Sequence, residues 1–208
     1  MSATAAATAD APPAPSLVDQ GPAWDPVMRA RYHFAPQGSR LMPRDWFLSL
    51  DRAGDETLLA APANLARFGF IYAPNDTGTS LNLDGLPTGF AVDPYASEPD
   101  VGRWVGLTCA ACHSAEVTYR GARLRIEGSP AALDFDLFGA ELNEAVQASA
   151  RDRAKHDRMT ARVAARGGSA AGGNVLVNGL ASCWQACAQQ GRNGGPRVSF
   201  AGISSGCC

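Results

Sequence analysis

The segment "LTCAACHSAEV" sets Cys109, Cys112 and His113 in a C-x-x-C-H arrangement, and no other stretch of the chain restricts its folding as much. At that spacing two thiols can form thioethers to porphyrin vinyl groups while the adjoining imidazole ligates the iron from one face. Ala110 and Ala111, between the cysteines, are small enough to let the peptide curl beneath a ring. The expectation is covalently bound haem c, with Cys109 and Cys112 as its attachment points and His113 as iron ligand. Two other uses of the same residues stand beside it. A redox-active C-x-x-C pair would sit at a helix start after a strand, in a βαβ setting, and no parallel-sheet alternation precedes the motif. A zinc site would need a second pair of ligands, and the further cysteines all lie beyond Arg158.

The sixth iron position decides between an electron carrier and an oxygen- or peroxide-reactive site. The candidates are His33, His156, Met28, Met42 and Met159, and spacing singles out none. His33 reads equally as a packed histidine, His156 as part of a solvated charged stretch, and the methionines as core fillers. Trp46, Phe47, Phe68, Phe70 and Trp104 could wall a haem pocket or form an ordinary core. Arg123 and Arg125 could meet haem propionates as charge-assisted donors, or line a solvated hairpin face.

With 208 residues, 46% of them hydrophobic and 18% charged, the chain has room for one domain with a real core and some additional segment. A formal net charge of −2 gives no reason to expect nucleic acid or an anionic membrane surface as partner. No apolar run reaches the roughly 18 residues that a membrane span requires. Residues 1–28 read as a flexible Ala/Pro-rich segment, 29–166 as the folded domain and 167–208 as a Gly/Ala/Cys-rich tail. All 20 acidic residues fall at or before Asp157, whereas four of the six cysteines, Cys183, Cys187, Cys207 and Cys208, lie in the tail. The tail reads as a metal-binding module or as a degenerate extension past the end of the domain. No Lys or Arg precedes Arg29, so no signal peptide is visible. The expectation is either that the protein is not exported by the ordinary route or that its start lies upstream of Met1.

Local patterns suggest mostly helices. Trp46, Phe47 and Leu50 share a helical face in "MPRDWFLSLDRA", with Pro43 suited to a first turn. "DETLLAAPANLARFGF" reads as two short helical turns split at Pro62. Residues 71–100 read as one long loop, full of turn formers. "EVTYRGARLRIEG" alternates as a β-hairpin about Arg120-Gly121. A helix is expected from an N-cap at Ser129 with Pro130 in the first turn, carrying Leu133, Leu137, Phe138, Leu142 and Val146 at helical spacing.

"QGSRLMPRDWFLSL", "NLARFGFI", "LDGLPTGF" and above all "WVGLTCAACHSAEVTYRGARLRIEGSPAALDFDLF" resemble the N-terminal haem domain of large bacterial di-haem cytochromes. That group includes rubber-oxygenase-like proteins and is distantly similar to di-haem cytochrome c peroxidases. The resemblance runs from about Arg29 to Ala165. It implies a mainly α, cytochrome c-like haem domain with long loops and a small β-hairpin. It also implies a periplasmic or secreted location, a redox partner protein, and electron transfer or oxidative chemistry at haem. It assigns the thioethers to Cys109 and Cys112 and the proximal ligand to His113. Members of the group carry a second C-x-x-C-H, which this chain lacks; Cys183 and Cys187 have no following His. Full oxygenase or peroxidase activity is therefore expected only of a longer form.

Overall fold

A two-residue turn organises the half of the molecule that follows the motif. Arg120 (φ 49°) and Gly121 (φ 79°) both adopt left-handed backbone, the type I′ geometry whose twist matches the flanking strands. Strands β5 (Ser114–Tyr119) and β6 (Ala122–Glu127) pair antiparallel across it, and the expected hairpin is present. In this computed structural model, which describes residues 16–18, 20–72, 80–98 and 102–168, β6 also pairs in parallel with β1 (Ser16–Leu17). The first sheet has the order β1-β6-β5. Residues 16–28, read from composition as flexible, thus contribute a strand and the start of helix α1 (Pro26–Phe34), which is capped by Asp25. Residues 1–15 and the tail cysteines lie outside the described residues.

The mainly α, cytochrome c-like expectation is overturned by a second sheet, order β2-β4-β3. It is built from β2 (Met42–Pro43), β3 (Phe90–Glu98) and β4 (Gly102–Leu107). β3 lies inside the stretch read as a loop. The turn formers of that stretch are dense only up to Gly89, after which Phe90 to Asp93 pair with Leu107 to Trp104 in register. The register shifts between Asp93 and Ser97. Pro94 lies in that interval and, lacking an N–H, cannot continue the ladder.

The helices are shorter than the hydrophobic patterns suggest. α2 is a single turn, Arg44–Phe47. Beyond it the chain runs extended, Asp51 bridging Leu58 and the Leu59 N–H donating to the Leu50 carbonyl at 2.9 Å. Of the two helical turns expected about Pro62 only the second forms: α3 spans Pro62–Arg67, and residues 55–61 contain no helix. The long helix starts later than Ser129: α5 spans Phe135–Arg151 with Asp134 as N-cap, accepting from the Leu137 N–H at 2.9 Å. Residues 129–134 cannot join it because their amides are engaged elsewhere. The Ala131 N–H donates to Cys112 and that of Asp134 to Phe68, both at 2.8 Å. The helix also breaks at Asp152, which ends α5 and caps α6 (Arg153–Ala165) through its side chain.

α6 is docked by its charges. Lys155 Nζ donates to the Arg52 and Asp55 carbonyls at 2.8 and 2.7 Å, while Arg158 and Arg162 converge on the buried Asp51 carboxylate. The core lies between the helices and the second sheet. Phe70 stacks edge-on to Phe138 at 5.0 Å and packs against Phe90 at 4.8 Å, and Phe68 meets Phe138 at 5.5 Å. Trp46, Phe47, Phe68 and Phe70 are all buried in this cluster. They are core rather than the wall of a cofactor pocket.

The motif itself is α4 (Cys109–Cys112), pressed onto Gly89. A Cβ on Gly89 (φ +93°) would fall 2.3 Å from Ala111 Cα, so substitution must displace backbone. Gly121 has the same sign of φ but open space around it. Gly121→Ala should cost about 1–2 kcal/mol from conformation alone. Gly89→Ala should cost clearly more, read as a larger fall in urea midpoint at unchanged m-value.

Candidate cofactor-attachment site

One helical turn separates the roles of the four residues of α4. Positions three apart share a helix face, so Cys109 and Cys112 are exposed together while Ala110 and Ala111 are buried, at 1% and 5%. The alanines are small because they pack against the fold. Thr108 caps the turn, its Oγ1 accepting from the Ala110 N–H at 3.2 Å and lying 3.2 Å from the His33 carbonyl to which it donates. His113 ends the turn with an exposed side chain.

The backbone of the motif is tied down while its side chains face outward. The His113 N–H donates to the Cys109 carbonyl at 2.9 Å. The His113 carbonyl accepts from the Gly128 N–H at 2.6 Å and from the Tyr32 hydroxyl at 2.5 Å. Burial raises the Tyr32 phenol above its ordinary range. Gln37 Oε1 accepts from both the Cys109 N–H and its thiol, each at 3.0 Å.

A buried carboxylate locks this frame. The Glu127 side chain is fully buried. It accepts from Arg29 Nε and Trp24 Nε1, both at 2.8 Å, and lies 3.0 Å from His33 Nε2. Gln20 donates to its carbonyl at 2.8 Å. This cluster was invisible to sequence reasoning, since its members are spread over more than 100 residues with no motif. Its nearest signal is an acidic residue closing a strand directly before the glycine that binds the motif.

The sixth-ligand candidates are sorted by the same geometry. His33 is fully buried beside Glu127, and Met42 and Met159 are core residues at 2% and 1% exposure. His156 is partly exposed on α6, and Met28 is exposed on α1, the helix packed beside α4. Arg123 and Arg125 are not propionate partners. Both close on Glu116 across the hairpin, and the buried Arg125 also donates to the Tyr72 carbonyl at 2.9 Å. Trp104 lies under the Arg40 guanidinium, 5.9 Å from its ring centre.

A cavity of about 360 Å³ is bordered by Phe34, Pro36, Leu81, Leu83 and Val92 together with charged side chains. Pro36 lines it and the following residue, Gln37, holds Cys109. Two accessible, unbridged thiols one face apart, followed at once by an exposed imidazole, form a donor set that fits covalent haem. Partial burial, and secondarily the proximity of Cys109, raise the Cys112 thiol above its ordinary range. Among the described residues no three His, Cys, Asp or Glu side chains come together as a metal-binding group. No described helix is long and apolar enough to cross a membrane.

Glu127→Ala should leave Arg29 buried without its carboxylate and cost about 3–5 kcal/mol, measured by chemical denaturation. For Cys112 the raised pKa means less thiolate at a given pH. In Cys109→Ser, which removes the neighbouring thiol, native Cys112 should react with iodoacetamide more slowly than in urea between pH 7 and 9. Its rate should reach a plateau at a higher pH. Equal native and unfolded pH profiles would show that burial does not act on this thiol.

No family model and no solved structure matches the chain. It is similar to an uncharacterized protein, y4iJ, of Sinorhizobium fredii (strain NBRC 101917 / NGR234). The two are 37% identical over 134 residues, which cover 55% of this chain and 21% of the relative. The chain thus spans about a fifth of the length of the curated relative it matches.

Proposed function

We propose that this chain carries a c-type haem on Cys109, Cys112 and His113 and serves in electron transfer. The observation that carries the reading is the motif's division of labour: its backbone is held at both ends, while its two thiols are unbridged and, like the imidazole, exposed. Each Sγ–H would add across one vinyl double bond, sulfur to one carbon and hydrogen to the other. His113 would ligate the iron from the side of the attachment peptide. When bound, haem supplies a one-electron couple.

The chain's own residues would set the geometry of attachment. Tyr32 and the Gly128 amide fix the His113 carbonyl, and Gln37 holds Cys109 by both its amide and its thiol. Ala110 and Ala111 seat the turn on Gly89. A redox partner protein would exchange electrons at the exposed face, in the periplasm or outside the cell, where haem is attached to such motifs. Oxygenase or peroxidase chemistry would belong to a longer protein with a second haem.

The test is a pyridine haemochrome spectrum of the chain fused to an export signal and produced with cytochrome c maturation proteins. About one covalent haem per chain is expected, resistant to acid–acetone extraction and absent from Cys109→Ser/Cys112→Ser. A soluble, folded protein without covalent haem would refute the assignment.

A further inference from the structure

The geometry points to the cavity at the end of α1 as a carboxylate-binding site, taking an apolar body whose acid group meets Arg31 and Arg103. At about 360 Å³ the cavity lies at the lower end of the range of small-molecule sites. Its apolar part comes from Phe34, Leu81, Leu83 and Val92. Arg31 precedes Phe34 and Ala35 by three and four residues on α1, so all three share the face that borders the cavity. Arg103 reaches the same space from β4. Val92 pairs with Val105, and Arg103, two residues before Val105, projects from the same side of the sheet. Asp93 and Trp104 face the other way by the same alternation.

The charges around the cavity do not cancel. Asp84 lines it, but both its carboxylate oxygens accept from Arg44, Nε to Oδ2 at 2.6 Å and Nη2 to Oδ1. Arg31 and Arg103 have no ion pair or side-chain hydrogen bond among the described residues. Two uncompensated guanidiniums beside an apolar hollow favour an anion that is planar, fork-shaped and attached to a hydrocarbon. Such a carboxylate could be a propionate of a haem held on Cys109 and Cys112, or the head of a free aliphatic acid. The second source stands without the haem reading.

The full-length chain, produced without maturation proteins so that it holds no covalent haem, would be titrated by calorimetry. The probes are octanoate against octanol, and mesoporphyrin IX against its dimethyl ester. A single site is expected for at least one of the two acids, at least tenfold tighter than for its uncharged counterpart. Arg31→Gln and Arg103→Gln, both at exposed positions, should each weaken it about five- to tenfold with unchanged circular dichroism. Binding of the porphyrin acid alone assigns the site to a haem propionate, and binding of octanoate assigns it to a free acid. Loss of octanoate binding once haem is attached makes one pocket serve both. The proposal is overturned if neither acid binds, if alcohol and ester bind as well as the acids, or if both arginine variants bind unchanged. Absence of covalent haem in the haemochrome test together with intact octanoate binding would remove the haem reading alone.

Discussion

The fully buried carboxylate of Glu127 constrains everything around the motif. An ion in that position is tolerated only with charged and hydrogen-bonding partners on most of its lone pairs. It finds them in Trp24 and Arg29, with His33 Nε2 lying 3.0 Å away, all from the N-terminal side of the chain. That requirement draws α1 against the end of β6, where Gly128 follows. Once α1 is there, the carbonyls of Tyr32 and His33 receive the Thr108 hydroxyl, and the Tyr32 hydroxyl reaches the His113 carbonyl. The His33 carbonyl also accepts the Gly89 N–H at 3.2 Å, which fixes the glycine under Ala111. One buried charge therefore positions both ends and the underside of a four-residue helix. Its energetic role is specificity of arrangement more than net stabilisation, because desolvating the ions offsets much of their attraction.

The hairpin was legible because its signal is local: two alternating strands and a turn whose geometry calls for Gly at position 121. The C-x-x-C-H motif was visible for the same reason, as it is contiguous. Sheet β2-β4-β3 was not. Its strands are short, its longest is interrupted by Pro94, and the turn residues up to Gly89 dominate the segment that leads into β3. The start of α5 was misplaced because Ser129 and Pro130 form a good helix start in isolation. Tertiary contacts, Ala131 to Cys112 and Asp134 to Phe68, hold that stretch out of the helix. The roles of His33, Arg123 and Arg125 could not be read at all. Each depends on a carboxylate, Glu127 or Glu116, whose closeness is a property of the fold.

The paired alanines of the motif show how one sequence feature can answer to two constraints. Read locally, small residues between the cysteines leave the peptide free to curl under a ring. In the fold the same residues are buried, and Ala111 packs against Gly89 with no room for even a methyl group on the glycine. A larger residue at 111 would lift the turn away from β4 and the loop before β3. It would then disturb both the direction of the thiols and the hydrogen bonds of Thr108. Small side chains at these positions serve packing, and the proposed attachment would call for the same sizes.

A C-x-x-C-H turn asks little of the protein that carries it. It needs a capped helical turn with both thiols on one side, a fixed carbonyl after the second cysteine, and open space in front. None of these requires a mainly α body, and here they are met on a frame of two three-stranded sheets and short helices. Function in such a case resides in the local site grafted onto the fold rather than in the architecture. The correction of the fold class therefore does not bear on the chemistry proposed for Cys109, Cys112 and His113. What the frame adds is electrical. By binding Asp84 through Arg44 it leaves Arg31 and Arg103 as the uncompensated charges at the cavity, one residue along the chain from the glutamine that holds the first cysteine.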